Sequence, residues 1–289
     1  MKRSIILSAF ISSLTLSPNA TSEGRIQNCE GFLPENSRHI PDDQIQAQGI
    51  KQKEFNDILD RLERHYAKDF EARGAKLVIE RRWTDGTVNA YASQEGNLWY
   101  ISMYGGFARH PEITADGFAL IACHETGHHL GGAPKYDGGD WASNEGQADY
   151  YATTKCLKRL FEKDDNEKIL AGMKVDPTAV KRCEFEHRGK QDQLLCIRVA
   201  MAGASLAGAF ADLSGGRPPK LDTPDQRKVS ETNDSHPASQ CRMDTYFQGS
   251  LCREGHWSSV SDIDYRIGYC ADERTYSAGL RPRCWFAPQ

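Results

Sequence analysis

The chain has 289 residues, 39% hydrophobic and 26% charged, with a formal net charge of −4. That composition excludes wholesale disorder and leaves room for one large domain or a domain with an accessory region. A mildly acidic balance with no block of Lys and Arg gives no electrostatic case for nucleic-acid binding.

The N-terminus reads Met1-Lys2-Arg3, an apolar run from Ile5 to Leu16, then Ser17-Pro18-Asn19-Ala20. A basic start, a short apolar stretch and a small residue predict a signal peptide over residues 1–20 and an exported, periplasmic or extracellular protein. The plain alternative is a buried N-terminal helix. Pro18 is unusual before a cut after Ala20, so the cleavage site itself is not read. Removing Lys2 and Arg3 takes the formal charge from −4 to −6. No later segment reaches the length of an integral membrane span. The best candidate, Val199 to Ala211, lies between Arg198 and Asp212 and reads as a buried helix. Nine cysteines, Cys29, Cys123, Cys156, Cys183, Cys196, Cys241, Cys252, Cys270 and Cys284, with no CxxC pair, point to disulfides rather than a thiolate metal site. The odd count leaves one over. Cys123, inside an apolar helix, is the expected unpaired thiol, and no pairing is assigned to the other eight.

Residues 21–52 form a polar N-terminal extension, with Cys29 a possible tether. Over 53–73, Phe55, Ile58, Leu59, Leu62, Tyr66 and Phe70 share one helical face, and Gly74 stops the helix. Strands are expected at Leu77–Glu80, Thr87–Ser93 and Leu98–Met103, the last two joined by a hairpin through Gly96. Thr114 or Asp116 caps a helix that is apolar all round through Cys123 and ends at Gly131-Gly132. Helices follow at about Ser143–Glu162, 190–213 and Ala238–Gly249, with a proline-bearing loop from Arg217 to Asp234 between the last two. The order is helix, small sheet, then helices, an α+β arrangement. Residues 53–252 form the main domain and 253–289 a cysteine-bearing tail.

His124-Glu125-Thr126-Gly127-His128 is HExxH within the central predicted helix. Imidazoles at i and i+4 reach one cation from a single face, and Glu125, about 100° round the helix, can address a metal-bound water without ligating. A catalytic zinc site needs a third protein ligand and an open position. Glu145 supplies the ligand, and Asp149, one turn later, can accept the outer N–H of a liganding histidine. The bland reading of Glu145 and Asp149 is a solvated acidic face. Gly127 costs about 1 kcal/mol in a helix interior, which makes sense where another element packs closely.

HETGH followed by an ExxAD helix resembles the gluzincin zinc peptidases, in particular the HtpX, BepA and CAAX-prenyl-protease family. Asn89-Ala90-Tyr91-Ala92 before the Gly96 turn is similar to that family's hairpin, and Ser235-His236-Pro237 with Arg242 is similar to its later motif. The resemblance spans roughly residues 53–250. It implies a mainly helical zincin-like domain with a small antiparallel β-hairpin sheet before the HExxH helix. It also implies a zinc metalloendopeptidase with His124, His128 and Glu145 as ligands and Glu125 as base. Further implied are His236 as oxyanion stabiliser or fourth ligand, and a polypeptide substrate paired to the edge strand of Asn89 and Tyr91, with Arg242 as a contact. The plain alternatives are an ordinary loop histidine for His236, a structural hairpin with Tyr91 in the core, and a helix-capping ion pair for Arg242. The chain departs from the family in the sixteen residues between His128 and Glu145, in lacking membrane helices, and in its tail. The function expected is cleavage of exported or envelope proteins, in quality control. The rivals are a zinc-stabilised chaperone-like binding protein with a latent or inactive site, and a hydrolase of non-peptide amides.

Overall fold

The computed structural model describes residues 27–43, 49–136 and 141–288. The expected signal peptide, residues 1–20, lies outside them, as do residues 21–26 and 44–48 of the polar stretch after it. The described chain runs β1 (Gln27–Asn28), α1 (Gln52–Glu71), β2 (Lys76–Arg82), β3 (Ala90–Glu95), β4 (Leu98–Tyr104), α2 (Gly105–Ala108) and α3 (Ala115–Leu130). Then come α4 (Glu145–Tyr151), a π-helical turn (Ala152–Cys156), α5 (Leu157–Phe161), α6 (Asn166–Ala171), α7 (Pro177–Glu186), α8 (Lys190–Ser205), α9 (Ala207–Ser214) and α10 (Ser239–Leu251).

Helix α1 buries Phe55, Leu59, Leu62, Tyr66 and Phe70, the stripe its 3.6-residue period requires, and Gly74 beyond it takes φ +75°. Strands β3 and β4 make the expected hairpin, turning at Gly96 with φ +58°. The sheet is not purely antiparallel, however. β2 pairs with β4 in parallel, from Lys76 opposite Leu98 to Arg82 opposite Tyr104, giving the order β1-β3-β4-β2. Alternation of side chains marks a strand's two faces but not the direction of its partner, so sequence pattern could not foresee this pairing. Thr87 also falls outside β3 and makes an isolated bridge with His39.

The sheet and α1 pack against α3, whose Thr114 side chain caps it by accepting from the Gly117 N–H. Every residue from Asp116 to Leu130 is buried, as a helix apolar on all sides must be. Helices α2, α6 and α7 arise where no helix was expected, and the expected helix over 190–213 is interrupted at Leu206. The stretch Lys190–Ser214 is long and apolar enough to cross a membrane by length and composition, yet 67% of its apolar window is buried in the fold. Its Arg198 is itself buried, held by both oxygens of Asp116 at 2.8 Å and by Asp164 at 2.7 Å.

Four disulfides join Cys123–Cys156, Cys183–Cys196, Cys241–Cys284 and Cys252–Cys270, and are consistent with an oxidising, exported compartment. The expectation that Cys123 stays unpaired is therefore wrong. The π-helical turn brings Cys156 against α3 from the neighbouring helix, so burial supplied a partner rather than isolation. Cys29 takes part in none of the four. The tail beyond α10 carries no helix or strand among its described residues, yet Tyr269, Cys284, Trp285 and Phe286 enter the same core as α1 and α3.

Candidate metal centre

Helix α3 presents His124 and His128 one turn apart, and their rings stand perpendicular with centroids 4.7 Å apart. The outer nitrogen of each is committed. His124 Nδ1–H donates to Asp149 Oδ1 at 2.7 Å, and His128 Nδ1–H donates to the Ser143 carbonyl at 2.8 Å. The two Nε2 atoms are thereby turned toward each other, 3.0 Å apart. Two lone pairs at that separation repel unless a proton or a cation lies between them.

Glu145, the first residue of α4, closes the group. Its Oε2 is 3.3 Å from His124 Nε2 and its Oε1 3.5 Å from His128 Nε2. All three side chains are fully buried, and their donor atoms lie within 4.8 Å of one another, so the three could hold a metal ion.

Helix placement is built locally. The Asn144 side chain caps α4 by accepting from the Gln147 N–H at 2.9 Å, and its amide donates to Asp234 at 2.8 Å. Gln147 Nε2 donates to the Gly131 carbonyl at 2.8 Å, so the end of α3 is tied to the start of α4. The tail adds Tyr269 Oη to the same carbonyl at 2.6 Å, and Arg281 Nε to Gln147 at 2.7 Å. Gly127 is the contact between the helices. A Cβ there would lie 2.9 Å from both the Cα and the carbonyl oxygen of Ala148.

Asp149 anchors more than a histidine. Its carboxylate also accepts from Arg242 Nε and Nη2, each at 2.8 Å, and from Tyr246 Oη at 2.8 Å. Burial alone would raise its pKa, but the charges of Arg242 and His124 hold it well below the usual carboxylate range. Burial likewise disfavours the His124 imidazolium, yet Asp149 outweighs it and raises His124 to about 9, whereas burial dominates at His128 and lowers it to about 4. Glu145 is brought down to about 2, because the imidazoles of His128 and His124 overcome its burial.

Glu125 differs in kind. Both its carboxylate oxygens are buried without a hydrogen-bond partner among the described residues, and burial pushes its pKa up to about 8. An orphaned carboxyl group of that sort is costly and marks a place where a proton or an ion belongs.

No family model, curated protein or solved structure matches the chain. The likeness to gluzincins thus rests on the motif residues themselves.

The remaining expected site residues fall as follows. His236 stands beside the three, its Nε2 3.4 Å from Glu145 Oε2 and donating to the Gly31 carbonyl at 2.7 Å, its Nδ1 3.0 Å from the Glu30 carboxylate. Arg242 is buried beneath the centre, bound to Asp149, with its guanidinium 4.3 Å from the Phe32 ring centroid. Asn89 is buried and grips Leu33 of the chain itself, through Oδ1 to the N–H and Nδ2 to the carbonyl, both at 3.0 Å. Tyr91 is half-buried and its hydroxyl donates to Glu35 at 3.2 Å. His129 is structural, stacked between Trp99 and Trp141 with Nε2–H donating to the Tyr100 carbonyl at 3.0 Å.

Three residues were missed in the sequence. Tyr136 donates to Glu145 Oε1 at 2.8 Å, Tyr246 donates to Asp149, and the Phe32 ring meets His124 edge-on at 4.9 Å. An aromatic residue in the glycine-rich loop after HExxH was the one visible signal, for Tyr136; Phe32 carried none.

Proposed function

We propose that the chain is a zinc-dependent endopeptidase that hydrolyses peptide bonds in exported polypeptides. The observation that carries this reading is the fully buried set His124, His128 and Glu145 with the orphaned carboxylate of Glu125 on the next position of the same helix. A purely structural metal site has no use for a buried, unbonded carboxyl group beside its ligands. Zinc, when bound by the three, would polarise the scissile carbonyl and lower the pKa of water. Glu125, buried beside the ligands with no hydrogen-bond partner among the described residues, suits a group that takes a proton from the attacking water and returns it to the leaving amine. His236 Nε2–H already donates to a peptide carbonyl beside Glu145, the role required of a group that stabilises developing oxyanion charge. Asp149 fixes the His124 tautomer, and Tyr136 holds Glu145 in place.

The test is metal analysis of the purified full chain beside its Glu125→Gln variant, each assayed on denatured casein. Equal zinc in both, with hydrolysis only in the wild type, is the expected result. Hydrolysis undiminished in Glu125→Gln, or one-to-one zinc without hydrolysis even after the N-terminal segment is cut away, overturns the reading.

A further inference from the structure

The outer edge of β3 is covered by the chain's own N-terminal segment. Asn28 and Gln27 pair with Ser93 and Gln94, Cys29 N–H donates to the Ala92 carbonyl at 3.0 Å, and Phe32 N–H to the Ala90 carbonyl at 2.9 Å. Glu30 and Gly31, between those bonds, pass the metal centre. The Gly31 carbonyl accepts from His236, and the Glu30 carboxylate lies with Glu145 and His236 in a group of donors within 4.8 Å. The Phe32 side chain drops into a closed pocket made by His124 at 4.9 Å, Phe107 at 5.6 Å, Phe210 at 6.3 Å and the Arg242 guanidinium at 4.3 Å. Asn89 then clamps Leu33, and from Pro34 the chain is exposed.

This is how an extended peptide is held by a sheet edge: main-chain bonds give grip, and one pocket reads a side chain. We infer that Glu30–Leu33 occupies the substrate cleft of the proposed peptidase as an internal inhibitor. The Phe32 pocket is then the subsite for an aromatic side chain immediately after the cleaved bond. The inference rests on the peptidase reading for what the cleft does, and on geometry alone for what fills it. The Gly31 carbonyl accepts from His236 Nε2, itself 3.4 Å from Glu145 Oε2, so the Gly31–Phe32 peptide stands where a substrate's bond would stand. A Cβ at Gly31 would lie 2.5–2.8 Å from the Asn89 amide, so a small residue is required before the bond. A cavity of about 340 Å³ between Leu33–Asn36 and Phe210, Leu213 and Pro237 opens beside His236 and continues the cleft past that subsite. The substrate class is therefore an extended polypeptide with a small residue followed by an aromatic one, admitted when the segment leaves.

Asn36 and Ser37 are both exposed, so a recognition sequence for a specific protease can be inserted between them in the full chain. Cutting there turns a tethered occupant into a bimolecular one, which dilution to nanomolar enzyme releases. The zinc-loaded chain is then assayed before and after cutting with a quenched peptide containing Gly-Phe, and for binding of a fluorescein-labelled peptide spanning Glu30–Glu35. We expect hydrolysis to rise at least tenfold on cutting, the labelled peptide to bind only the cut chain and to inhibit it, and its Phe→Ala form to need at least tenfold more. Fragments from a denatured protein should begin with Phe, Tyr or Trp. Uncut Phe32→Ala is the companion variant: an occupant gives higher activity, a purely structural core residue gives lower activity along with a lower Tm. Hydrolysis that cutting and peptide leave unchanged overturns the internal inhibitor while the peptidase reading stands. Specific binding of the labelled peptide to the cut chain, with no hydrolysis by either form, keeps the occupied cleft and removes the peptidase.

Discussion

Replacing Asp149 by Asn strikes the point on which ligand orientation and stability both depend. The native carboxylate is fully buried and accepts four bonds, from His124 Nδ1, Tyr246 Oη and two nitrogens of Arg242, all between 2.7 and 2.8 Å. An amide keeps one acceptor oxygen. If that oxygen stays with His124, Tyr246 and Arg242 Nη2, the new NH2 faces Arg242 Nε–H, donor against donor. The substitution also removes the buried counter-charge of Arg242, and an unpaired buried charge costs about 3–5 kcal/mol. Exchange of a carboxylate for a neutral amide oxygen as the partner of His124 Nδ1–H lowers metal affinity by about 10–100-fold. Guanidinium unfolding with the disulfides intact reads the first effect, and competition against a zinc-chelating dye reads the second. Destabilisation below about 1 kcal/mol together with unchanged zinc affinity would refute the assigned role.

Other consequences follow from the same geometry. Glu125→Gln should keep zinc and fold while hydrolysis drops by about 10²–10⁴, the range for a lost general base; a smaller loss on denatured casein removes Glu125 from the chemistry. Opening the Cys123–Cys156 bridge with Cys156→Ser releases a loop of 33 residues and should cost about 3–4 kcal/mol by chemical denaturation. A cost near zero would mean that α3 and the π-helical turn are held by packing alone. Burial, with Lys155 adding to it, lowers the Lys158 pKa from 10.5 to about 7, and its Nζ donates to the Cys252 carbonyl at 2.7 Å. Between those two pKa values the unfolded chain binds the extra proton, so stability rises with pH from about 7 toward 10.5, by up to roughly 4–5 kcal/mol. Lys158→Met should abolish that rise and unfold at a higher Tm than wild type at pH 7; an unchanged pH profile contradicts the assignment.

The centre was legible because its chemistry is local. His124, Glu125 and His128 lie within two turns of one helix, and Glu145 and Asp149 are one turn apart, so spacing alone sets which faces they share. Helix α1, the hairpin at Gly96 and the close approach at Gly127 were readable for the same reason, each resting on a period or on a backbone position. What depends on distant pairing was not. The parallel partner of β2, the disulfide of Cys123, the grip of Tyr246 on Asp149, and Phe32 under His124 join residues 22 to 97 positions apart. Asn89 shows the limit most clearly. Its position ahead of the hairpin was readable, but its partner, Leu33, lies in a stretch with no periodicity to read.

Zinc-edge X-ray absorption on the purified chain, compared with Glu145→Ala, addresses the metal centre without recourse to activity. Expected are one zinc per chain, two imidazole nitrogens at about 2.0–2.1 Å and a carboxylate oxygen at about 2.0–2.2 Å, with the oxygen contribution altered in the variant. Sulfur among the neighbours, or a spectrum that the variant leaves unchanged, would contradict a centre built from His124, His128 and Glu145.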